Sequence, residues 1–243
     1  MPCIIVNLPF REDRRNLMQS QSVVDGCSFF PAVQVSDFGA EKASFTSQPV
    51  DALSSKFSAA RLRGVLGCFA SQLRILQHFQ GAHAVDRLLV LEDDVRVRPE
   101  ALRFIDELVG SGRLEGGWDV IRFSVHDKYK PSHSEKKEGL FHGRRPMLTF
   151  RSEVLGQEVH VFESRFGDWG TQAVLYNGAS VGRIVGRLTG SPLTDIDAML
   201  AMAGERRGAE EGLRTLYCVV GSGSEYVFAS AKMRTDIPKT LIE

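Results

Sequence analysis

The stretch RLLVLEDDVRV, residues 87–97, joins an apolar, strand-like run to a group of acids. The apolar run ends at Leu91, and three consecutive carboxylates follow it: Glu92, Asp93 and Asp94. Two carboxylates roughly 6 Å apart repel each other by about 3 kcal/mol at an effective dielectric constant of about 20. A strand end with this composition therefore needs a source of positive charge.

A divalent cation that holds a ligand's diphosphate would supply that charge. Ligands of open α/β sheets bind beyond the carboxyl ends of the strands, and strand geometry would point Glu92 and Asp94 to one side and Asp93 to the other. Mg²⁺ and Mn²⁺ prefer carboxylate oxygens and keep positions open for substrate phosphates. The alternative is a solvated turn whose negative charge favours the N-terminus of a helix beginning near Pro99. The spacing alone leaves both interpretations open.

Alternating strands and helices predict the fold class. The strand-like runs are residues 3–8, 28–35, 87–91, 118–125, 147–151, 158–162, 171–176 and 213–220. Helical patterns cover residues 11–21 and 59–79 and follow Pro99, Asn177 and Thr194. Pro31 favours an edge position for the second strand. We expect an α/β fold with a mostly parallel, Rossmann-like sheet, flanking helices and a mixed C-terminal part.

The helix predicted over residues 59–79 has one apolar stripe and two early glycines. Its apolar residues recur at intervals of three and four from Leu62 to Leu76, which is typical of a single buried face. Gly64 and Gly67 each reduce helix stability by roughly 1 kcal/mol relative to alanine. We therefore expect another group to approach the helix backbone closely at these positions.

The composition argues against nucleic-acid binding and for a single globular domain. The chain has 243 residues, of which 43% are hydrophobic and 25% charged, as in ordinary globular proteins. Thirty Lys and Arg residues balance thirty Asp and Glu residues, so no net charge favours binding to nucleic acid. No internal repeat or linker-like segment divides the sequence. We predict one domain over residues 1–243.

The cysteines and the N-terminus predict a cytoplasmic protein. The four cysteines are widely spaced and form no CxxC pair, which favours buried, reduced thiols over a zinc site or a disulfide framework. The apolar run at residues 3–6 ends at Asn7, and basic residues follow it rather than precede it, so it is typical of neither a signal peptide nor a membrane span. Membrane contact would be peripheral, at the inner face.

Residues 126–146 are the clearest predicted loop. They have no apolar period and carry six Lys or Arg residues against three acids. A loop of about 20 residues is usually a functional lid or a flexible segment. As a lid it would cover a donor substrate or contact a phosphorylated, membrane-bound acceptor; otherwise it is a solvated, flexible segment. His126, His133 and His142 lie in it without a metal-binding spacing.

An ordered set of motifs resembles one enzyme family. The motifs are VNLPFREDRR (6–15), FFPAV (29–33), RGVLGCFASQLRILQHF (63–79), LVLEDDV (89–95), WDVI (118–121), GTQAVLYNGASVGRIV (170–185), DIDAML (195–200) and RTDI (234–237). In this order the chain resembles the glycosyltransferase family 25 proteins, which include lipooligosaccharide galactosyltransferases and collagen galactosyltransferases. The motifs extend over nearly the whole chain.

The resemblance implies a GT-A type fold and transfer of a sugar, usually galactose, from a UDP-sugar. It implies that Asp94 contacts the metal, Mn²⁺ or Mg²⁺, and that Glu92 and Asp93 hold its waters, the ribose or the donor sugar. The residues it implies for the nucleotide pocket are Asn7, Leu8, Arg11 and Arg14. Without the family, a solvated helix face on which Arg11 and Arg14 pair with Glu12 and Asp13 is the simpler interpretation.

The chain departs from the family pattern at three points. Val65 replaces the family's Glu, Gln72 replaces its His, and no His follows His160 as the C-terminal metal ligand of many GT-A enzymes. If the family's His contacts substrate, Gln72 changes the choice of donor or acceptor. Metal dependence would be weak, or another residue would be the third protein ligand.

The base that activates the acceptor hydroxyl must lie across the sugar from the metal. Asp197, in the DIDAML motif near the start of a helix, is the predicted base. Asp195 is the local rival, and either acid could instead cap the helix. Asp168 is a more remote candidate; the adjacent Trp169 would stack on an acceptor sugar or fill a core gap.

Together these patterns predict an inverting, metal-assisted glycosyltransferase. It would move a sugar from a UDP-sugar donor to a glycan or glycolipid acceptor, such as a lipooligosaccharide precursor at the cell surface. One alternative is a degenerate relative that binds a nucleotide or glycan without turnover, which Val65 and Gln72 favour. A second is a sugar nucleotidyltransferase, which the absence of glycine in NLPFREDRR disfavours.

Overall fold

A computed structural model describes residues 1–52, 54–80, 85–114, 117–123, 145–165, 170–205, 212–220 and 227–231. The strands are β1 (Cys3–Asn7), β2 (Ser28–Pro31), β3 (Arg87–Glu92), β4 (Val95–Val97), β5 (Val120–Arg122), β6 (Leu148–Arg151), β7 (Glu158–Glu163), β8 (Ala173–Asn177), β9 (Thr215–Val220) and β10 (Phe228–Ser230). The helices are α1 (Glu12–Gln19), α2 (Phe38–Glu41), α3 (Ala59–Gln80), α4 (Ala101–Gly110), α5 (Val181–Thr189) and α6 (Ile196–Glu205).

Eight of these strands form one mixed sheet in the order β2-β1-β3-β8-β5-β9-β7-β6. β1 is parallel to β2 and β3, and β5 is parallel to β9. β8 is antiparallel to β3 and β5, and β7 is antiparallel to β9 and β6. Thus β1, β2, β3, β5, β9 and β6 run in one direction, and β8 and β7 run in the other. The fold is α/β with a large central sheet flanked by helices, compatible with a Rossmann-like fold.

Alternation along the strands builds a core on each face of the sheet. In β3, Leu89 and Leu91 pack on one face with residues of α1 and α4. Leu88 and Val90 pack on the other face with residues of α3, α5 and α6. Because successive strand side chains point to opposite faces, a strand covered by helices on both sides reads as a continuous apolar run.

The predicted stripe of the long helix is confirmed from Leu66 to Leu76, and Leu62 at its start is only partly buried. Leu66, Phe69, Leu73 and Leu76 of α3 are buried in the second core. β2 lies at the sheet edge, as Pro31 predicts. The segment that follows β2 then passes over α3, and a Cβ atom at Gly67 would lie 2.8 Å from the carbonyl oxygen of Val33. Gly67 therefore permits the close approach that the sequence predicts.

The carboxyl ends of β1 and β3 meet the start of β8 at one edge of the sheet. The Glu92 N–H donates to the carbonyl of Gln172, just before β8. A second sheet, which the sequence did not predict, pairs β4 with β10 beside this edge. The Ala231 N–H donates to the Asp94 carbonyl at 2.7 Å. These contacts place the three acids between distant parts of the chain.

The cysteines differ from expectation at two positions. Cys3 and Cys27 form a disulfide, so the prediction of four reduced thiols is wrong for this pair. They are 24 residues apart in sequence, and the parallel pairing of β1 with β2 brings them together. Disulfides are rare in reducing compartments. The expected cytoplasmic location, which used the free thiols as an argument, loses that support.

Among the described residues, no helix combines the length and apolar character that crossing a bilayer requires.

Gly64 and Gly67 provide a matched pair for testing the packing of α3. Gly67→Ala is expected to lower the free energy of unfolding by about 1–3 kcal/mol, because its methyl group would overlap the Val33 carbonyl. Gly64→Ala is expected to raise it by up to about 1 kcal/mol, since nothing lies within 4 Å of its added Cβ. Urea unfolding measures both; equal effects of the two changes would contradict this packing.

Candidate active site

Arg14 pairs with two of the acids at the end of β3. Its guanidinium contacts Asp93 Oδ1 at 2.7 Å and Asp94 Oδ2 at 3.2 Å. Asn7 Nδ2 donates to the other Asp93 oxygen at 2.8 Å. β3 ends at Glu92, so the strand alternation that would separate Asp93 from Asp94 does not continue. The chain turns there, and both aspartates face the same arginine.

Arg11 and Arg14 have different partners. Arg11 binds both carboxylate oxygens of Asp13, at 2.8 and 2.7 Å. This hydrogen bonding raises the pKa of Arg11 and lowers the pKa of Asp13 to about 2. The expected pairing with Asp13 therefore holds for Arg11, although its side chain is only 12% exposed, whereas Arg14 pairs with Asp93 and Asp94. α1 follows β1 so closely that Arg14, near its start, reaches the end of β3.

Glu92 has the most altered acidity of the three acids. Thr171 Oγ1 donates to Glu92 Oε1 at 2.6 Å. Burial, followed by the charge of Asp94, raises the pKa of Glu92 to about 7, although the Thr171 hydrogen bond opposes the rise. Burial also raises the pKa of Asp94, and the charge of Arg14 opposes that shift. Glu92 is therefore a carboxyl group that changes protonation near neutral pH.

The segment before β8 connects Asp197 to these acids. The Gly170 N–H donates to Asp197 Oδ2 at 3.3 Å, and Gly170 precedes Thr171, the partner of Glu92. The negative charge of Asp197 also contributes to the raised pKa of Glu92. Asp195, the rival acid, forms an ion pair with Arg61 at 2.6 Å. Asp168, Trp169 and the RTDI motif lie outside the described residues, as do positions 126–144 of the basic loop.

A cavity of about 370 Å³ opens beside the acids. Small-molecule sites commonly have volumes of about 300–1,000 Å³. Arg14, Glu92, Asp93 and Thr171 form its polar end, and residues 32–35 form another wall. Phe10 lines it while its side chain remains 44% exposed. Of these, Phe10, Thr171 and residues 32–35 were not among the predicted site residues, because no local pattern shows which cavity a loop residue will line.

The third wall of the cavity is α3. Its lining residues include Gly64, Gly67, Cys68, Ser71 and Gln72. Cys68 is exposed at the cavity wall, and desolvation followed by the charge of Glu92 raises the pKa of its thiol. Ser71 Oγ donates to the Gly67 carbonyl at 2.6 Å and accepts from the Val33 N–H at 2.8 Å. Its hydroxyl thus joins α3 to the segment after β2.

The structure brings most of the predicted site residues together. Those that line the cavity are Leu8, Arg14, Glu92 and Asp93. Asn7 and Asp94 contact this group directly, and Asp197 lies across Gly170 from it. Arg11 is the predicted residue with another partner, Asp13, although the charges of Asp93 and Asp94 contribute to its raised pKa.

The donor set suits a divalent cation only when a ligand completes it. Adjacent carboxylates are the oxygen ligands that Mg²⁺ and Mn²⁺ prefer. Within the described residues, however, no group of three or more His, Cys, Asp or Glu side chains is arranged to hold a metal ion. The Arg14 guanidinium already supplies a positive charge beside Asp93 and Asp94. Asp94 fits as one protein ligand, with phosphate oxygens and water as the remaining ligands.

A second cavity, of about 540 Å³, lies at the other end of the central strands, beside the start of β5 and the end of β8. Asp119 and Arg183 contribute to its lining. Asp119 accepts hydrogen bonds from Ser180, Arg183 and the Arg214 N–H. This buried carboxylate is therefore satisfied within the protein, and its contacts join the start of β5 to α5 and the segment before β9.

No family model matches the chain. A glycosyltransferase 25 family member from Aedes aegypti is 32% identical to it in an alignment of 124 residues that covers 49% of this chain and 20% of that protein. The similarity thus covers about half of this chain and a fifth of its relative's length. It supports the resemblance that the sequence motifs indicate.

Removing Arg14 is expected to destabilise the protein more than removing Arg11. Arg14→Met leaves Asp93, with a 6% exposed side chain, without its ion pair, and should cost about 3 kcal/mol. Arg11→Met frees Asp13, whose side chain is 50% exposed, and should cost less than about 1 kcal/mol. Urea unfolding with a chelator present measures both. A similar cost for the two variants would contradict the assigned role of Arg14.

Glu92 is expected to make stability depend on pH. Between its usual pKa of 4.5 and its folded value of about 7, the folded protein holds a proton that the unfolded chain has released. Stability should therefore fall as pH rises from about 5 to 7 and then level off. Glu92→Gln, which can still accept from Thr171, should remove this decline and be about 1–3 kcal/mol more stable at pH 8. Unfolding at each pH, with a chelator, measures the difference; parallel profiles would contradict the assignment.

Proposed function

We propose that the protein transfers a sugar from a UDP-sugar to a cell-surface glycoconjugate precursor such as lipooligosaccharide. Galactose is the proposed sugar. The observation that carries the proposal is the 370 Å³ cavity that ends at Arg14, Glu92 and Asp93. It lies at the carboxyl ends of β1 and β3, where α/β sheets bind ligands. Similarity to a glycosyltransferase 25 family member supports the reaction class.

The cavity would hold the nucleoside, and the charged end would hold the diphosphate. Asn7 is the last residue of β1, and Leu8 follows it. Arg14 would be the cation that binds the phosphate oxygens. Arginine binds phosphate and carboxylate with the same planar set of donors, so Arg14 can exchange one for the other. Mn²⁺ or Mg²⁺ at Asp94 would neutralise charge on the departing diphosphate.

Asp197 is the proposed general base. In an inverting transfer the acceptor oxygen bonds to the anomeric carbon, the bond from that carbon to the UDP oxygen breaks, and the hydroxyl proton passes to the base. Asp197 accepts from the Gly170 N–H, which orients its carboxylate near the cavity edge. Asp195 is less suited, because Arg61 already binds it at 2.6 Å.

A nucleotide-binding protein without turnover is the second candidate. Arg14 satisfies Asp93 and Asp94 within the protein, so the acid cluster is stable without metal or substrate. Such a cluster can persist after catalysis is lost. The glycosyltransferase and the inert binder therefore differ in whether bound UDP-sugar is cleaved.

Release of UDP from UDP-sugars, with and without Mn²⁺, tests these candidates. Asp94→Asn is expected to abolish metal-stimulated release. Asp197→Asn should keep UDP affinity within about threefold but reduce turnover by at least about 10²-fold, the usual scale of general-base loss. Asp106→Asn is the matched control, because its side chain on α4 is 62% exposed and pairs with Arg87 away from the cavity.

Three outcomes would overturn parts of the proposal. Near-normal turnover of Asp197→Asn would remove Asp197 as the base. UDP binding without release at any metal concentration would favour the inert binder. Formation of UDP-sugar from a sugar phosphate and UTP would identify a nucleotidyltransferase instead.

A further inference from the structure

Gln72 is a buried amide that faces the cavity with unused donors. Its side chain lies on α3 and is 4% exposed. Its Oε1 accepts a hydrogen bond from the Tyr176 hydroxyl at 3.1 Å. In the described part of the chain, its Nε2 has no hydrogen-bonding partner. These donors are therefore available to a ligand that enters the cavity.

Tyr176 determines which end of the amide faces the cavity. Tyr176 is fully buried, and burial raises the pKa of its phenol, so the hydroxyl keeps its proton. Among the described residues, Gln72 Oε1 is the acceptor for that proton. Turning the amide over would leave the Tyr176 proton without an acceptor. Gln72 therefore presents its Nε2 donors, rather than its carbonyl, to any ligand.

The neighbouring polar group on α3 cannot replace Gln72. The Ser71 hydroxyl donates to the Gly67 carbonyl and accepts from the Val33 N–H, so both of its roles are used. The nearby walls are apolar and include Val6, Val33 and Val35. A planar ring with a hydrogen-bond acceptor at its edge matches this combination of apolar walls and one amide donor.

The backbone of Tyr176, the partner of Gln72, lies away from the strand end that carries the acids. Tyr176 pairs with Leu88, four residues before Glu92 on β3. At about 3.3 Å per residue, the backbone at Leu88 is about 13 Å from the strand end that carries the acids. Arg14 and Gln72 line the same cavity, so a ligand with its diphosphate at Arg14 that extends along α3 would bring its opposite end toward Gln72.

We propose that Gln72 Nε2 donates to the 4-carbonyl of uracil and selects uridine over cytidine nucleotides. This inference rests on the proposed binding of a UDP-sugar. Carbon 4 lies across the pyrimidine ring from the nitrogen that carries ribose, so it reaches farthest from the diphosphate. Cytosine carries an amino group there, which would meet the Gln72 donors with a donor of its own.

Binding of UDP, CDP and inorganic pyrophosphate, measured by calorimetry, tests the assignment. Gln72→Leu is expected to weaken UDP binding by about tenfold or more, the scale of one lost hydrogen bond in a buried site, while CDP and pyrophosphate change by less than about threefold. Tyr176→Phe should weaken UDP binding several-fold, because it releases the amide to rotate. Gln77→Leu is the matched control, since Gln77 lies on the same helix and is exposed.

The double variant Gln72→Leu/Tyr176→Phe keeps the inference testable if Gln72→Leu does not fold. It removes both partners of the buried hydrogen bond, which is better tolerated than removing one, and should show the same loss of UDP preference as Gln72→Leu. Unchanged UDP affinity in Gln72→Leu, or equal losses for all three ligands, would overturn the inference alone. Failure of the unsubstituted protein to bind UDP would overturn the proposed function with it.

Discussion

The ion pairs between Arg14 and two adjacent aspartates are the interaction on which this edge of the sheet depends. Asp93 and Asp94 follow a buried strand, and their repulsion must be offset at that point. Arg14 can reach them because α1 begins five residues after β1 ends and β1 is the direct neighbour of β3. Asn7, the last residue of β1, adds a hydrogen bond to Asp93. The positions of β1, α1 and the turn after β3 are thus mutually dependent.

The same arrangement shapes the cavity. Gly67 lets the segment after β2 contact α3 closely, and the Ser71 hydroxyl joins the two. Near the start of α3, Gly64 has open space instead of a neighbour. The cavity lies between this segment, α3 and the acids. Close packing at one position of the helix and a missing side chain at another leave room for a ligand beside Arg14.

An arginine that already pairs with Asp93 and Asp94 changes what a ligand must do. A diphosphate that contacts Arg14 competes with Asp93 and Asp94 for the same donors, and a cation at Asp94 competes with the guanidinium. If the diphosphate and the cation entered together, Arg14 would pair with the phosphate and Asp94 with the cation. Neither side chain would then be left as an unpaired buried charge. Glu92, whose pKa burial and the charge of Asp94 raise to about 7, lines the cavity beside these groups.

Local patterns determined the elements of this protein, and tertiary contacts determined their partners. The apolar runs predicted β1, β3 and β9, the stripe from Leu62 to Leu76 predicted α3, and Pro31 predicted an edge strand, because side-chain spacing and backbone restrictions act within a few residues. The motif resemblance also selected Arg14, Glu92, Asp93 and Asp94. The sequence could not show that Arg14 rather than Arg11 reaches the acids, that Cys3 joins Cys27, or that β4 pairs with β10. Those outcomes depend on which strands become neighbours, and residues distant in sequence meet only after the whole sheet has formed.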